Sequence, residues 1–82
     1  MRFCKETVKK ELLNKADLWF RNMKESRIER SNYEIDSYKY RNCDEDFIRY
    51  MSMGQALLLC AMNLGLISES EYYDIMNEEC CF

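Results

Sequence analysis

Apolar residues in the first third of the chain recur every three or four positions, as they do on one face of an α-helix. The pattern covers residues 5–29 and consists of Val8, Leu12, Ala16, Trp19 and Met23. Acid–base pairs four residues apart lie on the other faces, and each stabilises a helix by only roughly a few tenths of a kcal/mol. We therefore predict a first helix whose stability comes mainly from packing of its apolar stripe.

A second helix is predicted over residues 45–64. Asp44 has the character of an N-cap, and the acids Glu45 and Asp46 would complement the helix dipole in the first turn. One face carries Phe47, Met51, Leu58 and Met62, and the opposite face carries Tyr50, Met53, Leu57, Cys60 and Leu64. A helix that is apolar on two sides is either sandwiched between other elements or partly exposed for a partner.

The segment that follows reads as a helix stop and a new helix start. Gly65 is suited to the left-handed conformation that ends a helix, because it has no Cβ. Ser68 and Glu71 have capping-box spacing, and Ile67 and Tyr72 have the spacing of a hydrophobic staple. We predict a helical hairpin whose third helix covers residues 69–80.

The connection between the first two helices has an ambiguous pattern. After a break at residues 31–32, Tyr33 alternates with Ile35 and Tyr38 with Tyr40, as residues in short strands do. The segment lacks a glycine that would support a hairpin turn. We expect residues 31–43 to be irregular or to form a short β-ribbon over residues 33–41.

Composition supports a single all-α domain of three helices covering residues 1–82. The chain has 82 residues, 48% of them hydrophobic, with two glycines and no proline, which favours long helices. Its N-terminus has no signal-peptide pattern, and its longest apolar run is far shorter than the roughly 20 residues that span a bilayer. We expect a soluble, cytoplasmic protein.

Several kinds of chemistry are disfavoured by the residue inventory. There is no histidine to act as a catalytic base, and two isolated glycines do not make a phosphate-binding loop. The five cysteines lack zinc-site spacing, since the one close pair, Cys80 and Cys81, is adjacent. Glu79 stands where a C-terminal prenylation motif requires cysteine. We expect Cys60 to be a small core residue, and we expect no enzymatic activity, no cofactor and no metal.

Charge is distributed unevenly along the chain. Residues 1–30 contain nine basic and five acidic residues, whereas residues 31–82 contain three basic and ten acidic ones. The basic part makes nucleic-acid binding an alternative, which would depend on Lys10, Arg21 and Lys24. The mixed charge of that helix and the chain's isoelectric point of about 4.9 oppose it. Direct binding of DNA or RNA is therefore disfavoured.

Protein binding is the function class that remains best supported. Tyrosine, tryptophan and methionine are enriched at protein interfaces, and this short chain contains six, one and six of them. Binding residues concentrate in loops, and charged helix faces can oppose a basic partner. The candidate partner-binding residues are Tyr33, Tyr38, Tyr40 and Arg41 in the connection, and Glu69, Glu71, Asp74, Glu78 and Glu79 on the third helix.

Part of the chain resembles the helical hairpins of small accessory proteins from bacteriophages and mobile elements. The resemblance lies in Tyr50, Gly54, Ala56-Leu57, and the run GLISESEY that starts at Gly65, followed by Ile75. Proteins of this kind, anti-CRISPR proteins among them, act by stoichiometric binding that occupies a functional surface of a host protein. The resemblance implies an inhibitor of a host nucleic-acid enzyme. The alternatives are a homo-oligomeric structural protein and a nucleic-acid-binding regulator.

Overall fold

The computed structural model of the chain describes residues 4–80, and these residues form an all-α structure without strands. Three helices follow one another: α1 is Lys5–Arg30, α2 is Tyr38–Asn63 and α3 is Glu69–Glu79. The structure confirms the predicted all-α fold class, the end of the first helix before residues 31–32, and the helical hairpin formed by the second and third helices. The first and third helices end within one residue of their predicted ends.

The β-ribbon, one of the two alternatives for residues 33–41, was wrong, and the irregular alternative holds only as far as residue 37. The chain enters α2 seven residues earlier than the sequence indicated. Turns occupy residues 31–37, and Ser37 rather than Asp44 is the N-cap of α2. The Ser37 hydroxyl accepts a hydrogen bond of 3.1 Å from the Tyr40 amide, so a serine cap outweighs the tyrosine alternation. Asp44 instead lies inside α2, where its carboxylate is bound by Arg30.

The turn between α2 and α3 has the geometry expected from its residues. Gly65 has φ +73°, and the amides of Gly65 and Leu66 donate to the carbonyls of Met62 and Ala61. This bonding pattern is a Schellman motif, and it caps the end of α2. Residues 66–68 then lead directly into α3.

The start of α3 is fixed by a complete capping box. The Glu71 amide donates to the Ser68 hydroxyl at 3.0 Å, and the Ser68 amide donates to the Glu71 carboxylate at 3.2 Å. We expect Ser68→Ala to lower the free energy of unfolding by about 1 kcal/mol, since it leaves an amide of the first turn without a partner. Urea denaturation of this variant beside Ser70→Ala, an exposed position after the cap, measures the effect. Equal stability of the two variants would contradict it.

The core lies where α1 and α2 run antiparallel and α3 covers the groove between them on one side. Antiparallel packing is evident from contacts of Arg30 with Asp44 at one end and of Trp19 with Tyr50 near the middle. The fully buried apolar cluster draws on all three helices and the second turn: Ala16, Phe20, Met23, Leu58, Ala61, Ile67 and Tyr72. Ile67 and Tyr72, predicted as a hydrophobic staple, are therefore both core residues.

Cys60 was predicted as a core residue, and this was wrong. Cys60 is exposed, because it lies on the side of α2 that neither α1 nor α3 covers. Among the residues of the predicted apolar helix faces, Leu58 is buried, whereas Trp19, Met51 and Met62 are only half-buried. The core of this domain is thus narrower than the apolar pattern of α2 indicated.

The domain is long and flat. Its principal extents are 50 × 27 × 15 Å, and its radius of gyration is 14.9 Å. A compact chain of this length has a radius of gyration of about 11.7 Å. The shape follows from two long helices packed side by side, with a short third helix on one side only.

Candidate interaction surfaces

The predicted tyrosine and arginine candidates lie around the α1–α2 turn, and they differ in exposure. Tyr38 is 78% exposed and Arg41 is exposed. Tyr40 is half-buried against Arg30, and Tyr33 is half-buried with the Lys39 ammonium 5.6 Å from its ring. Tyr38 is thus open to a partner. Arg41 is exposed but also donates to the Asp36 carbonyl of the turn at 3.5 Å, and Tyr33 and Tyr40 likewise hold the turn together.

Arg30 is the residue that fixes this turn. Its guanidinium donates a 2.5 Å hydrogen bond to Asp44 and lies 5.5 Å and 5.1 Å from the ring centroids of Tyr40 and Phe47. A planar, delocalised cation can make the ion pair and stack on rings at the same time. This role was not predicted from the sequence, because Asp44 has the character of an N-cap and its pairing with Arg30 depends on the packing of α1 on α2.

We expect Arg30→Ala to lower the free energy of unfolding by about 1–2 kcal/mol, through loss of one ion pair and two ring contacts. Arg21→Ala is the matched control, because the Arg21–Asp17 pair is exposed on α1 and contacts no aromatic ring within residues 4–80. We expect that control to change stability by less than about 0.5 kcal/mol. Chemical denaturation of both variants measures the difference, and an Arg30 effect no larger than the Arg21 effect would contradict this role.

The five acidic candidates on α3 separate into two groups. Glu69, Asp74 and Glu78 are exposed. Glu71 is exposed but belongs to the capping box, and Glu79 accepts a 2.6 Å hydrogen bond from Lys24 of α1. The Glu79 carboxylate raises the pKa of the Lys24 ammonium. The acids most available to a partner are therefore Glu69, Asp74 and Glu78.

Tyr73 belongs with these acids, although sequence analysis did not select it. Its side chain is 55% exposed, and its ring packs edge-on at 5.2 Å against the buried ring of Tyr72. Successive residues of a helix differ by about 100° in direction, so the residue after the core-facing Tyr72 lies at the flank of the packed side of α3 and is open to solvent, and this signal was available from the sequence. We call the outer side of α3, with Glu69, Tyr73, Asp74 and Glu78, the acidic surface.

The two groups of candidates do not form one site. Lys24 binds Glu79 of α3 and Arg30 contacts Tyr40, and six residues separate these two positions along α1. Six residues of helix span about 9 Å, and they place the two side chains about 120° apart around the helix. The tyrosines of the turn and the acidic surface therefore face in different directions.

The basic residues proposed for nucleic-acid binding are partly engaged within the domain. Arg21 pairs with Asp17 at 3.1 Å, and Lys24 pairs with Glu79 at 2.6 Å. Lys10 is exposed in the first half of α1. The three side chains thus do not form a continuous basic stripe.

A second surface lies on the side of the α1–α2 pair away from α3. Its eight residues, which we call the open face, are Val8, Leu12 and Trp19 of α1, and Tyr50, Met53, Leu57 and Cys60 of α2, with Leu64 at the end of α2. The Trp19 and Tyr50 rings stack at 5.6 Å near its middle. At one end, an open groove of about 200 Å³ is lined by Lys5, Val8, Leu64 and Leu66. Met53 is 44% exposed and Leu64 is 58% exposed.

The cysteines differ in surroundings. Burial raises the pKa of the Cys43 and Cys80 thiols. The hydroxyl and amide of Thr7, both able to donate to a thiolate, lower the pKa of the exposed Cys4 thiol. Cys81, half of the adjacent pair considered above, lies outside the described residues. Residues 4–80 contain no group of three or more cysteines and acids arranged to hold a metal ion.

None of the three helices described here is both long enough and apolar enough to cross a bilayer. No protein-family model, curated protein or solved structure matches the chain. The acidic surface and the open face are therefore the features of the molecule that bear on its function.

Proposed function

We propose that this chain is a small protein-interaction module that binds a basic surface of another protein through the acidic surface of α3. The observation that carries the proposal is an exposed aromatic side chain, Tyr73, set among exposed acids on a helix that is capped at its start and packed on its inner side. Aromatic anchors surrounded by polar groups are typical of binding hot spots.

The distribution of charge also supports docking of α3 against a basic partner. Along the chain no basic residue follows Arg49, so the acids of α3 have no cation on their own helix. Complementary charge raises the rate of encounter with a partner of opposite sign. Basic surfaces are typical of proteins that handle nucleic acids, because those proteins must neutralise phosphates.

The specific form that we propose is an inhibitor, encoded by a phage or mobile element, of a host nucleic-acid enzyme. This form rests on the resemblance of the α2–α3 hairpin to small accessory proteins, and on the acidic surface as a match for a nucleic-acid channel. No chemical step is required of the chain in this role, because occupation of the channel by the protein excludes the nucleic acid.

Affinity capture from a bacterial lysate tests the proposal with matched variants. We expect the wild-type chain to retain a nucleic-acid-processing protein, and Asp74→Lys with Glu78→Lys to lose it. Glu25→Lys with Glu45→Lys makes the same charge change at exposed positions of α1 and α2, and it should retain the partner. Equal capture by all three proteins would contradict docking through α3.

A gel-shift assay with duplex and single-stranded DNA at low salt separates this function from direct nucleic-acid binding. We expect no retardation by the chain alone, since its net charge is −3 and two of its candidate cations are paired internally. Retardation that is abolished by Lys10→Glu with Arg21→Glu would overturn the proposed function.

A further inference from the structure

From the open face we infer a symmetric homodimer: a second copy of this chain packs antiparallel against the first, α2 against α2. This inference uses the side of the domain away from the acidic surface, so it stands or falls independently of the proposed function. Four features of the open face lead to it.

The first feature is spacing. The α2 members of the open face, Tyr50, Met53, Leu57, Cys60 and Leu64, follow one another at intervals of three, four, three and four residues. This interval is the heptad pattern by which one helix packs along another in a coiled coil. Within the domain the pattern is only partly used, because Met53, Cys60 and Leu64 remain exposed.

The second feature is an absence of charge. From Tyr50 to Ser68 the chain contains no charged residue, although this run includes most of the solvent-exposed residues in the second half of α2. Solvated helix faces normally carry charges, whereas the buried centres of interfaces are depleted of them. Beside the open face the exposed residues Ser52, Ala56 and Asn63 are small or uncharged, which allows a second helix to approach.

The third feature is surface area. The chain has 6234 Å² of accessible surface. A compact monomer of 10.0 kDa has about 5,200 Å². The excess of about 1,000 Å² follows from the elongated shape, and it leaves the domain with surface enough for the roughly 800 Å² per partner that a standard stable interface covers.

The fourth feature is charge at the two ends of the open face, which favours a second copy of the chain as the partner and an antiparallel orientation of its α2. The open face has Lys5 beside one end. Asp46, one turn before Tyr50, lies beside the other end, where its partly exposed carboxylate makes only a loose 3.8 Å pair with Arg49. Antiparallel packing of two copies brings each Lys5 end to an Asp46 end, whereas parallel packing brings like charges together. A two-fold axis across one uncharged heptad stripe gives each copy the same contacts, as in most soluble dimers.

Light scattering tests the dimer through its mass. At about 100 µM we expect a mass of about 20 kDa, twice the 10.0 kDa of one chain. Met53→Glu with Leu64→Glu should raise the dimer dissociation constant by about 100-fold or more, because it buries unpaired carboxylates in the dimer. Both side chains are exposed in one copy, so the variant should fold. Ile28→Glu with Ile48→Glu, two exposed apolar positions outside the open face, is the matched control and should remain a dimer.

Alkylation of the reduced protein gives an independent test at Cys60. With N-ethylmaleimide and peptide mass mapping, the labelling rate of Cys60 should fall about 10-fold or more as the protein becomes dimeric, since the thiol is then covered. Cys80, partly exposed at the end of α3 on the side away from the open face, is the internal control, and its rate should not change. A monomer mass at every concentration, or a dimer that survives Met53→Glu with Leu64→Glu and leaves Cys60 reactive, would overturn the inference.

Discussion

Replacing Leu58 with alanine is expected to lower the free energy of unfolding by about 2–5 kcal/mol. The side chain is 1% exposed and lies between α1 and α3, beside Phe20 and Ile75. Its loss leaves a cavity that three helices would have to close together. Because small domains have little stability to lose, we expect a large fall in the midpoint of urea denaturation followed by circular dichroism.

Ile48→Ala is the control for this measurement, because Ile48 lies on the same helix and is exposed. We expect it to change stability by less than about 0.5 kcal/mol, the range of surface substitutions. If Leu58→Ala proves too unstable to measure, Leu58→Met preserves most of the volume and should cost less than about 1.5 kcal/mol. A Leu58→Ala effect within the surface range would place this side of α2 outside the core.

Replacing Gly54 with alanine is expected to destabilise the protein, although the same change in most helix interiors stabilises it by roughly 1 kcal/mol. A Cβ added at Gly54 would lie only 2.7–2.9 Å from three carbon atoms of the Phe20 ring, and that ring is fully buried. Overpacking of this kind costs typically about 1–3 kcal/mol. The contact should therefore outweigh the gain in helix propensity, and Gly54→Val should be worse than Gly54→Ala.

A double-mutant cycle with Phe20→Leu tests this explanation. Phe20→Leu alone should destabilise by removing part of the ring, but Gly54→Ala should be less harmful in the Phe20→Leu background than in the wild type. Additive effects of the two substitutions would contradict a clash between Gly54 and Phe20. Ala56→Gly, at an exposed position of the same helix, measures the difference in helix propensity between alanine and glycine without the clash.

Local signals in the sequence were sufficient to predict α1, the turn between α2 and α3, and α3 itself. Gly65, Ser68 and Glu71 act on their immediate neighbours, so their roles follow from spacing alone. The start of α2 was not predicted correctly, because Asp44 has the character of a cap and its true partner, Arg30, is brought close only by packing of α1 on α2. Ser37, the observed N-cap, was not identified from the sequence.

The interaction surfaces were only partly predictable, for a geometric reason. The sequence showed that α2 is apolar on two sides, but periodicity does not reveal which side a third helix covers. In the structure α3 packs through Tyr72 and Ile75 on the side of α2 that carries Leu58, which is therefore buried. The other side of α2 remains exposed at Met53, Cys60 and Leu64. Similarly, Glu79 was predicted to bind a partner, but its carboxylate accepts a hydrogen bond from Lys24, which lies 55 residues earlier in the chain. No local sequence pattern indicates this contact.

The central claim, that the acidic surface of α3 docks on a basic partner, is tested most directly by the association rate with the captured protein at increasing salt. We predict that the rate for the wild-type chain falls steeply as the Debye length shortens to about 8 Å at 0.15 M salt. For Asp74→Lys with Glu78→Lys we predict a slower association with a weaker salt dependence, and for Glu25→Lys with Glu45→Lys a rate close to wild type. A rate that is independent of salt and equal for all three proteins would contradict the claim.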